Sequence, residues 1–438
     1  MDDSSSRYDW LAGWAAAVVV GFFGVLLAGF YVPAYNGTDE NGYMCSARRI
    51  ALTGNSAKYT AHPLEFVSHN VVQVEAGIFY AKYPLGYPWL CAAAYRLGGP
   101  AAAFLVSPIL AALALVGMFL LARSLVGAFA AVLATVLLAT NPLHALFGLT
   151  ALSHAAAVCF AVWAMFFLWR WTERGGWVNA ALAGGLAAYT YTVRYSEALL
   201  ALPVLAMVVW RYVSLPEGAT PTERTAQVRQ WRREVLAMLA GVVVCAGPLW
   251  IHHWLAFGAP WKNGYDLCGE STGFGWKWFQ ENWWTMLTRL NSPGLLLIFP
   301  LGLIGLAYVA VHEPKRGTLL GLWVLPSVLI YTAYYWAPTG EGRGYVRFFV
   351  SVFPAFIVCA LALLAGLVKP RPFWAVAVGG YVAITATFNL REAFPGMADL
   401  AQQLATTERT WDVVRARVPE HSIIVANDGL LNNLEYAG

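Results

Sequence analysis

An all-α polytopic membrane protein of about eleven transmembrane helices is what this sequence predicts, with interfacial helices on one side and the start of a small α/β segment at its C-terminus. Three observations carry that prediction. Hydrophobic residues make up 59% of the 438 and charged residues 12%, whereas a soluble globular chain carries roughly a quarter charged. Mean hydropathy is +0.56. The apolar residues also come as charge-free blocks, at 11–33, 101–122 and 348–368 among others, each long enough to cross about 30 Å of hydrocarbon as a helix.

The first block is too long for a cleaved signal peptide and follows Asp2, Asp3 and Asp9 with a single Arg7, so it reads as a retained helix. Orientation follows from Lys and Arg. Basic stretches at 170–174, 211–233, 315–316 and 369–371 are cytoplasmic by the positive-inside rule. Spans near 177–194, 197–213, 236–256, 293–311, 318–337, 346–368 and 372–389 alternate consistently with that. Going back through 147–170, 125–141, 101–122 and 11–33 completes eleven and puts the N-terminus inside. The loops 34–100, 257–292 and 338–345 and the tail after 389 then face the periplasmic or extracellular side.

Residues 84–97 would reverse the parity of every earlier helix; being short and carrying Pro88, they read as a helix in the outer interface. The chain divides into a membrane domain over 1–389, with its external loop 34–100, and an external segment over 390–438. In that tail 398–417 has helical spacing, 422–426 reads as a buried strand and Asn427-Asp428-Gly429 as a turn. This opens a soluble α/β unit that is either very small or cut short at Gly438. The formal charge of +4 is spread over many loops, and no basic stripe with interleaved aromatics occurs, so nucleic acid is not a partner. The six cysteines have no CxxC spacing, which argues against a zinc site.

Chemistry-bearing groups gather in the external loops. The first loop opens with Gly37-Thr38-Asp39-Glu40-Asn41-Gly42-Tyr43 and continues to Ala47-Arg48-Arg49. A carboxylate at the hydrocarbon edge loses hydration and holds a proton more readily, which suits a general base. Equally, Thr38 or Asp39 would simply cap a helix running through Arg49. Next comes Ala81-Lys82-Tyr83-Pro84-Leu85-Gly86-Tyr87-Pro88, where Lys82 either holds a phosphate at headgroup depth or anchors the helix by snorkelling. In Gly340-Glu341-Gly342-Arg343-Gly344-Tyr345-Val346-Arg347 the arginines either chelate a phosphate or pair with Glu341. The loop 257–291 holds Trp261, Tyr265, Trp276, Trp283 and Trp284, as an aromatic belt or a sugar-stacking surface. Asp266 and Glu270 in that loop are further candidate carboxylates. A disulfide between Cys45 and Cys268, both external, is a further expectation. His62, His69, His252 and His253 form no ligand spacing.

The ordered set Asp39-Glu40-Asn41-Gly42-Tyr43 with Ala47-Arg48, then Lys82-Tyr83-Pro84-Leu85-Gly86-Tyr87-Pro88, then Arg347-Phe348 with Pro354 resembles the GT-C glycosyltransferase superfamily, in the branch of aminoarabinose transferases and protein O-mannosyltransferases. The resemblance implies a GT-C-like bundle that takes a hexosyl or pentosyl group from a polyprenyl-phosphate carrier and transfers it with inversion to a glycan, lipid or protein acceptor on the non-cytoplasmic face. Membrane lipid is the other partner. It implies Asp39 as base or acceptor-orienting carboxylate with Glu40 beside it, and Lys82, Arg347 and Arg343 on the donor phosphate. Tyr43, Tyr83, Tyr345, Arg194, Glu197 and Asp266 would line the substrate. No cofactor is required with certainty; a divalent metal at Asp39 and Glu40 stays open. Thr192-Val193-Arg194-Tyr195-Ser196-Glu197 stands where relatives often carry a lysine-glycine pair, so Arg194 departs from the pattern. A transporter or flippase of a lipid-linked glycan is the alternative, but would place ionisable residues within the spans rather than at one edge.

Overall fold

The computed structural model describes residues 3–62, 65–214, 220–268, 273–337, 343–368, 373–419, 422 and 424–436. Helix α1 (Asp3–Phe30) leads into α2 (Thr38–Thr53) and three short strands, β1 (Lys58–Tyr59), β2 (Val71–Glu75) and β3 (Ile78–Ala81). There follow α3 (Gly86–Phe104), α4 (Val106–Val126), α5 (Ala128–Thr140), α6 (Pro142–Phe147), α7 (His154–Arg174) and α8 (Trp177–Val193). A 3-10 turn, Tyr195–Leu200, opens α9 (Ala201–Val213), and α10 (Pro221–Phe257), α11 (Gly264–Cys268), α12 (Trp276–Arg289), α13 (Ile298–His312) and α14 (Pro314–Thr332) continue the chain. The remainder is α15 (Arg343–Val346), a 3-10 turn Arg347–Val352, α16 (Phe353–Val368), α17 (Trp374–Arg417) and α18 (Asp428–Leu434).

Among the described residues six helical stretches are long and apolar enough to cross a bilayer: Asp9–Phe30, Val106–Val126, His154–Arg174, Tyr195–Val213, Pro221–Phe257 and Gly344–Gly366. A seventh results if Trp276–Leu295 and Ile298–His312, bent by 110° to each other, form one broken span. The protein is an integral membrane protein. Helices α7 and α16 form its centre. Their Ala155, Ala156, Met165, Phe356 and Cys359 are sealed, while α1 and α10 leave Val18, Phe22, Val244 and Leu255 exposed, as lipid-facing residues must be.

Several elements differ from expectation, each for a local reason. The basic stretch before 236 is not a loop but the first turns of α10, started by a capping box in which Thr220 and Glu223 satisfy each other's backbone N–H groups. The loop after α2 holds a sheet of order β1-β3-β2. It turns at Gly77, whose φ of 74° favours glycine. Helix α17 runs unbroken through Asn389, so the division expected there falls inside a helix. The strand expected at 422–426 is absent at its described positions, with Val425 91% exposed and unpaired among the described residues. The turn expected at 427–429 is a helix start, where the Asn427 side chain accepts from Leu430 N–H at 2.9 Å.

The Cys45–Cys268 disulfide is not formed. Cys45 is buried in α2 and Cys268 is exposed at the end of α11, and both are free. Burial pushes the Cys45 thiol up to about 12. A maleimide should therefore label Cys268 in the folded protein in detergent and reach Cys45 only after unfolding, as mass spectrometry of the modified peptides would report.

The end of the bundle opposite α2 is tied by one buried acid. Glu234 of α10, 2% exposed, accepts from Trp171 Nε1 at 3.0 Å and Gly176 N–H at 2.8 Å, and pairs with Arg211 at 3.2 Å. One carboxylate thus joins α7, α8, α9 and α10. Glu234→Ala leaves Arg211 half-buried without its counter-charge and should cost about 3 kcal/mol, read as a lowered midpoint in thermal unfolding in detergent.

Candidate active site at the start of helix α2

Helix α2 begins at Gly37, which caps it without any side-chain hydrogen bond. Capping is therefore not the role of Thr38 or Asp39. Asp39 turns outward instead. Its Oδ1 accepts from the Tyr83 hydroxyl at 2.6 Å, and its Oδ2 accepts from Arg347 Nη2 at 2.8 Å. Three distant segments, the start of α2, the residue following Lys82 and the turn opening α16, thus meet on one carboxylate. Burial, then the nearby Asp39 charge, hold the Tyr83 phenol well above its ordinary value, so it stays a donor. Tyr43, one helical turn beyond Asp39, stacks on Tyr83 at 4.9 Å and meets the Ser153 hydroxyl at 3.1 Å.

The loop sheet delivers Lys82. Strand β3 ends one residue before it, and its backbone N–H donates to Asn70 O at 2.9 Å, extending the ladder. The Lys82 ammonium lies over the rings of Tyr83, at 5.4 Å, and Tyr265, at 6.0 Å. Close packing fixes this corner: a Cβ at Gly86 would come within 2.6 Å of the Thr192 carbonyl at the end of α8.

On the other side lie two guanidinium groups and one phenyl ring. Arg194 and Arg347 each sit 5.1 Å from the Phe348 ring, and Arg347 also lies 5.8 Å from Trp336. Arg194, buried between α8 and the following 3-10 turn, donates to the Tyr331 hydroxyl at 3.2 Å, which in turn bonds Ser196. Glu197 is buried close by, its charge acting on Arg194. Tyr345 is fully buried and donates to Tyr331 O at 2.6 Å, so it braces the wall rather than facing a ligand.

The other expected residues fall apart from this group. Glu40 is 5% exposed and faces inward, accepting from Asn36 N–H at 2.7 Å and from the Ala151 amide. Asp266 is exposed and accepts from Asn263 N–H of its own turn at 2.9 Å. Glu270, Glu341 and the Arg343 side chain lie outside the described residues. Asp39 and Glu40 do not fit a metal: their carboxylates serve different partners, and among the described residues no group of three His, Cys, Asp or Glu converges. Phe348 of the Arg347-Phe348 motif completes the site together with Ser153, His154 and Tyr331, which were not expected: they lie in apolar stretches with no spacing to mark them.

Burial raises the Glu40 carboxyl from 4.5 to about 7. An acid held more strongly protonated when folded takes up a proton on folding between those values, so stability falls as pH rises from about 4.5 to about 7. The loss is on the order of 3 kcal/mol and is complete above pH 7. Glu40→Gln keeps an acceptor for Asn36 and should flatten that dependence, seen as similar melting points at pH 5 and 8 where the parent protein loses stability.

A family model described as dolichyl-phosphate-mannose-protein mannosyltransferase matches residues 82–217. In three dimensions the chain resembles ArnT from Cupriavidus metallidurans bound to undecaprenyl phosphate, with TM-score 0.61 and 11% identity over 96% of this chain and 84% of that one. Its apo form gives TM-score 0.57 and 13% identity, over 99% and 85%. The Archaeoglobus fulgidus oligosaccharyltransferase in complex with Zn and sulfate gives 0.51 and 14%, covering 92% of this chain and 56% of that one. No curated protein sequence matches. The chain has the fold of the GT-C glycosyltransferases.

Proposed function

We propose that this GT-C-fold membrane protein is an inverting glycosyltransferase that moves a sugar from a polyprenyl-phosphate carrier to an acceptor on the non-cytoplasmic face. The observation that carries the reading is the Asp39 carboxylate, side chain 35% exposed, held by the Tyr83 hydroxyl and Arg347 beside further cations at Lys82 and Arg194. A general base needs access to its substrate, and Asp39 has it where Glu40 does not. The undecaprenyl phosphate in the ArnT structure supports a lipid-phosphate donor.

In this reading Asp39 accepts the proton of the acceptor hydroxyl as its oxygen attacks the anomeric carbon. The bond from that carbon to the phosphate oxygen breaks on the opposite face, which inverts the configuration. The carrier phosphate leaves with the extra negative charge, and Lys82 and Arg347 stabilise it as it develops. Tyr83 and Arg347 fix the carboxylate so that its position is set before substrate arrives. Glu40 supports the start of α2 from behind. The non-cytoplasmic side follows from the positive-inside rule applied to the basic loops.

Purified protein incubated with polyprenyl-phosphate sugars and envelope extracts tests the reading. Asp39→Asn should lower transfer about 100-fold or more while carrier binding persists; transfer at the parental rate would remove Asp39 from the chemistry. Lys82→Ala should weaken binding of the polyprenyl-phosphate donor about 10-fold, measured by equilibrium binding in detergent, and an unchanged affinity would refute its role on the phosphate.

A further inference from the structure

His154 opens α7 directly after Ser153, the residue that meets Tyr43. It is 5% exposed, and neither ring nitrogen has a hydrogen-bond partner among the described residues. Buried polar groups are almost always paired, so a histidine with both nitrogens idle requires an explanation. Its ring stacks on Phe147 at 4.6 Å, which leaves the nitrogens at the ring edge. It also lies 6.4 Å from the Phe348 ring, the same ring that carries Arg194 and Arg347. Arg347 has an idle group of its own, for its Nε is buried and has no hydrogen-bond partner among the described residues. Two unsatisfied groups therefore border one phenyl ring, which the Arg194 guanidinium also meets.

We propose that His154 is a ligand of the donor's phosphate, giving an N–H to a phosphoryl oxygen that also meets Arg347 Nε. This rests on the reading of the site as a polyprenyl-phosphate transferase and adds a residue to it. An imidazole carries at least one N–H in either protonation state, and the Nε–H of arginine only donates, so a single acceptor oxygen can take a hydrogen bond from each. A phosphoryl oxygen supplies it, with a negative charge suited to the neighbouring guanidinium groups. The Phe147 stack holds the imidazole edge-on for that contact.

The test compares the parent protein with His154→Phe, which keeps the stack but no N–H, and His154→Gln, which keeps a donor. Binding of sugar-free polyprenyl phosphate, of polyprenol and of inorganic phosphate is measured in detergent, with the melting point of each variant. The expected result is a His154→Phe protein that melts at or above the parental temperature, since an orphan polar group has been removed, yet binds polyprenyl phosphate about 10-fold or more weakly. His154→Gln recovers part of that affinity, polyprenol binds parent and variants alike, and inorganic phosphate fails to compete. Polyprenyl phosphate bound by His154→Phe within twofold of the parent would overturn the assignment, as would an equal loss for polyprenol. Effective competition by inorganic phosphate would reassign the oxyanion to a free phosphate and overturn the lipid source. A parent protein that binds no polyprenyl phosphate would instead sink the transferase reading itself.

Discussion

The arrangement of the site depends on the ion pair between Asp39 and Arg347, which joins residues 308 positions apart. Its two side chains are partly exposed, at 35% and 21%, so solvent screens it and its contribution to stability is small, on the order of 1 kcal/mol or less. Its importance is geometric. Helix α2 belongs to the first loop and Arg347 to the turn that opens α16, and nothing in chain connectivity brings these together. Tyr83 closes the same contact from the sheet side. Removing Asp39 would leave Tyr83 and Arg347 without their common target.

Around that contact the structure spends buried polar groups freely, but with partners. The Arg194 guanidinium is covered by Phe348 and bonded to Tyr331, and Tyr331 O takes the hydroxyl of Tyr345. Asn41, next to Glu40, reaches Glu435 at 3.1 Å, and Glu435 pairs with Lys58 at 2.7 Å. Tyr35 donates to Asn432 O at 2.8 Å and Trp411 to Asn433 O at 2.6 Å. The last described residues thus clasp the start of α2, the helix that carries Asp39. Among the described residues ten buried side-chain nitrogen and oxygen atoms have no hydrogen-bond partner, and His154 is the one residue that contributes two of them.

The membrane class and the ordered motifs were legible because each rests on a strong local signal: charge-free apolar blocks, and Asp39, Lys82 and Arg347 placed near the ends of such blocks. The choice between capping and chemistry for Asp39 was not legible, since it depends on Gly37 serving as the cap and on a partner 308 residues away. Glu40 looked equivalent to Asp39 in sequence. A rotation of about 100° along the helix turns one carboxylate outward and the other into the core, and only packing decides which. The small sheet was missed because its strands are short, although Val71-Val72-Gln73-Val74-Glu75 followed by Gly77 carries a recognisable hairpin signal. His154 gave no signal at all, for a single histidine in an apolar stretch reads as core.

One objection to the site is that an arginine already paired with a carboxylate has no charge left for a phosphate. The geometry answers it. Guanidinium presents five N–H donors in a planar fork, and Asp39 takes one of them, at Nη2, along one edge. The Nε edge is buried and has no partner among the described residues, so on the proposed reading it is the edge left for an anion while the carboxylate keeps its contact on Nη2. A lysine could not divide itself in this way, because its ammonium is a compact point charge without two separate edges. On the proposed transferase reading, arginine at position 347 would let one residue orient the base and receive the leaving group together, tying the position of Asp39 to that of the donor within a single rigid plane.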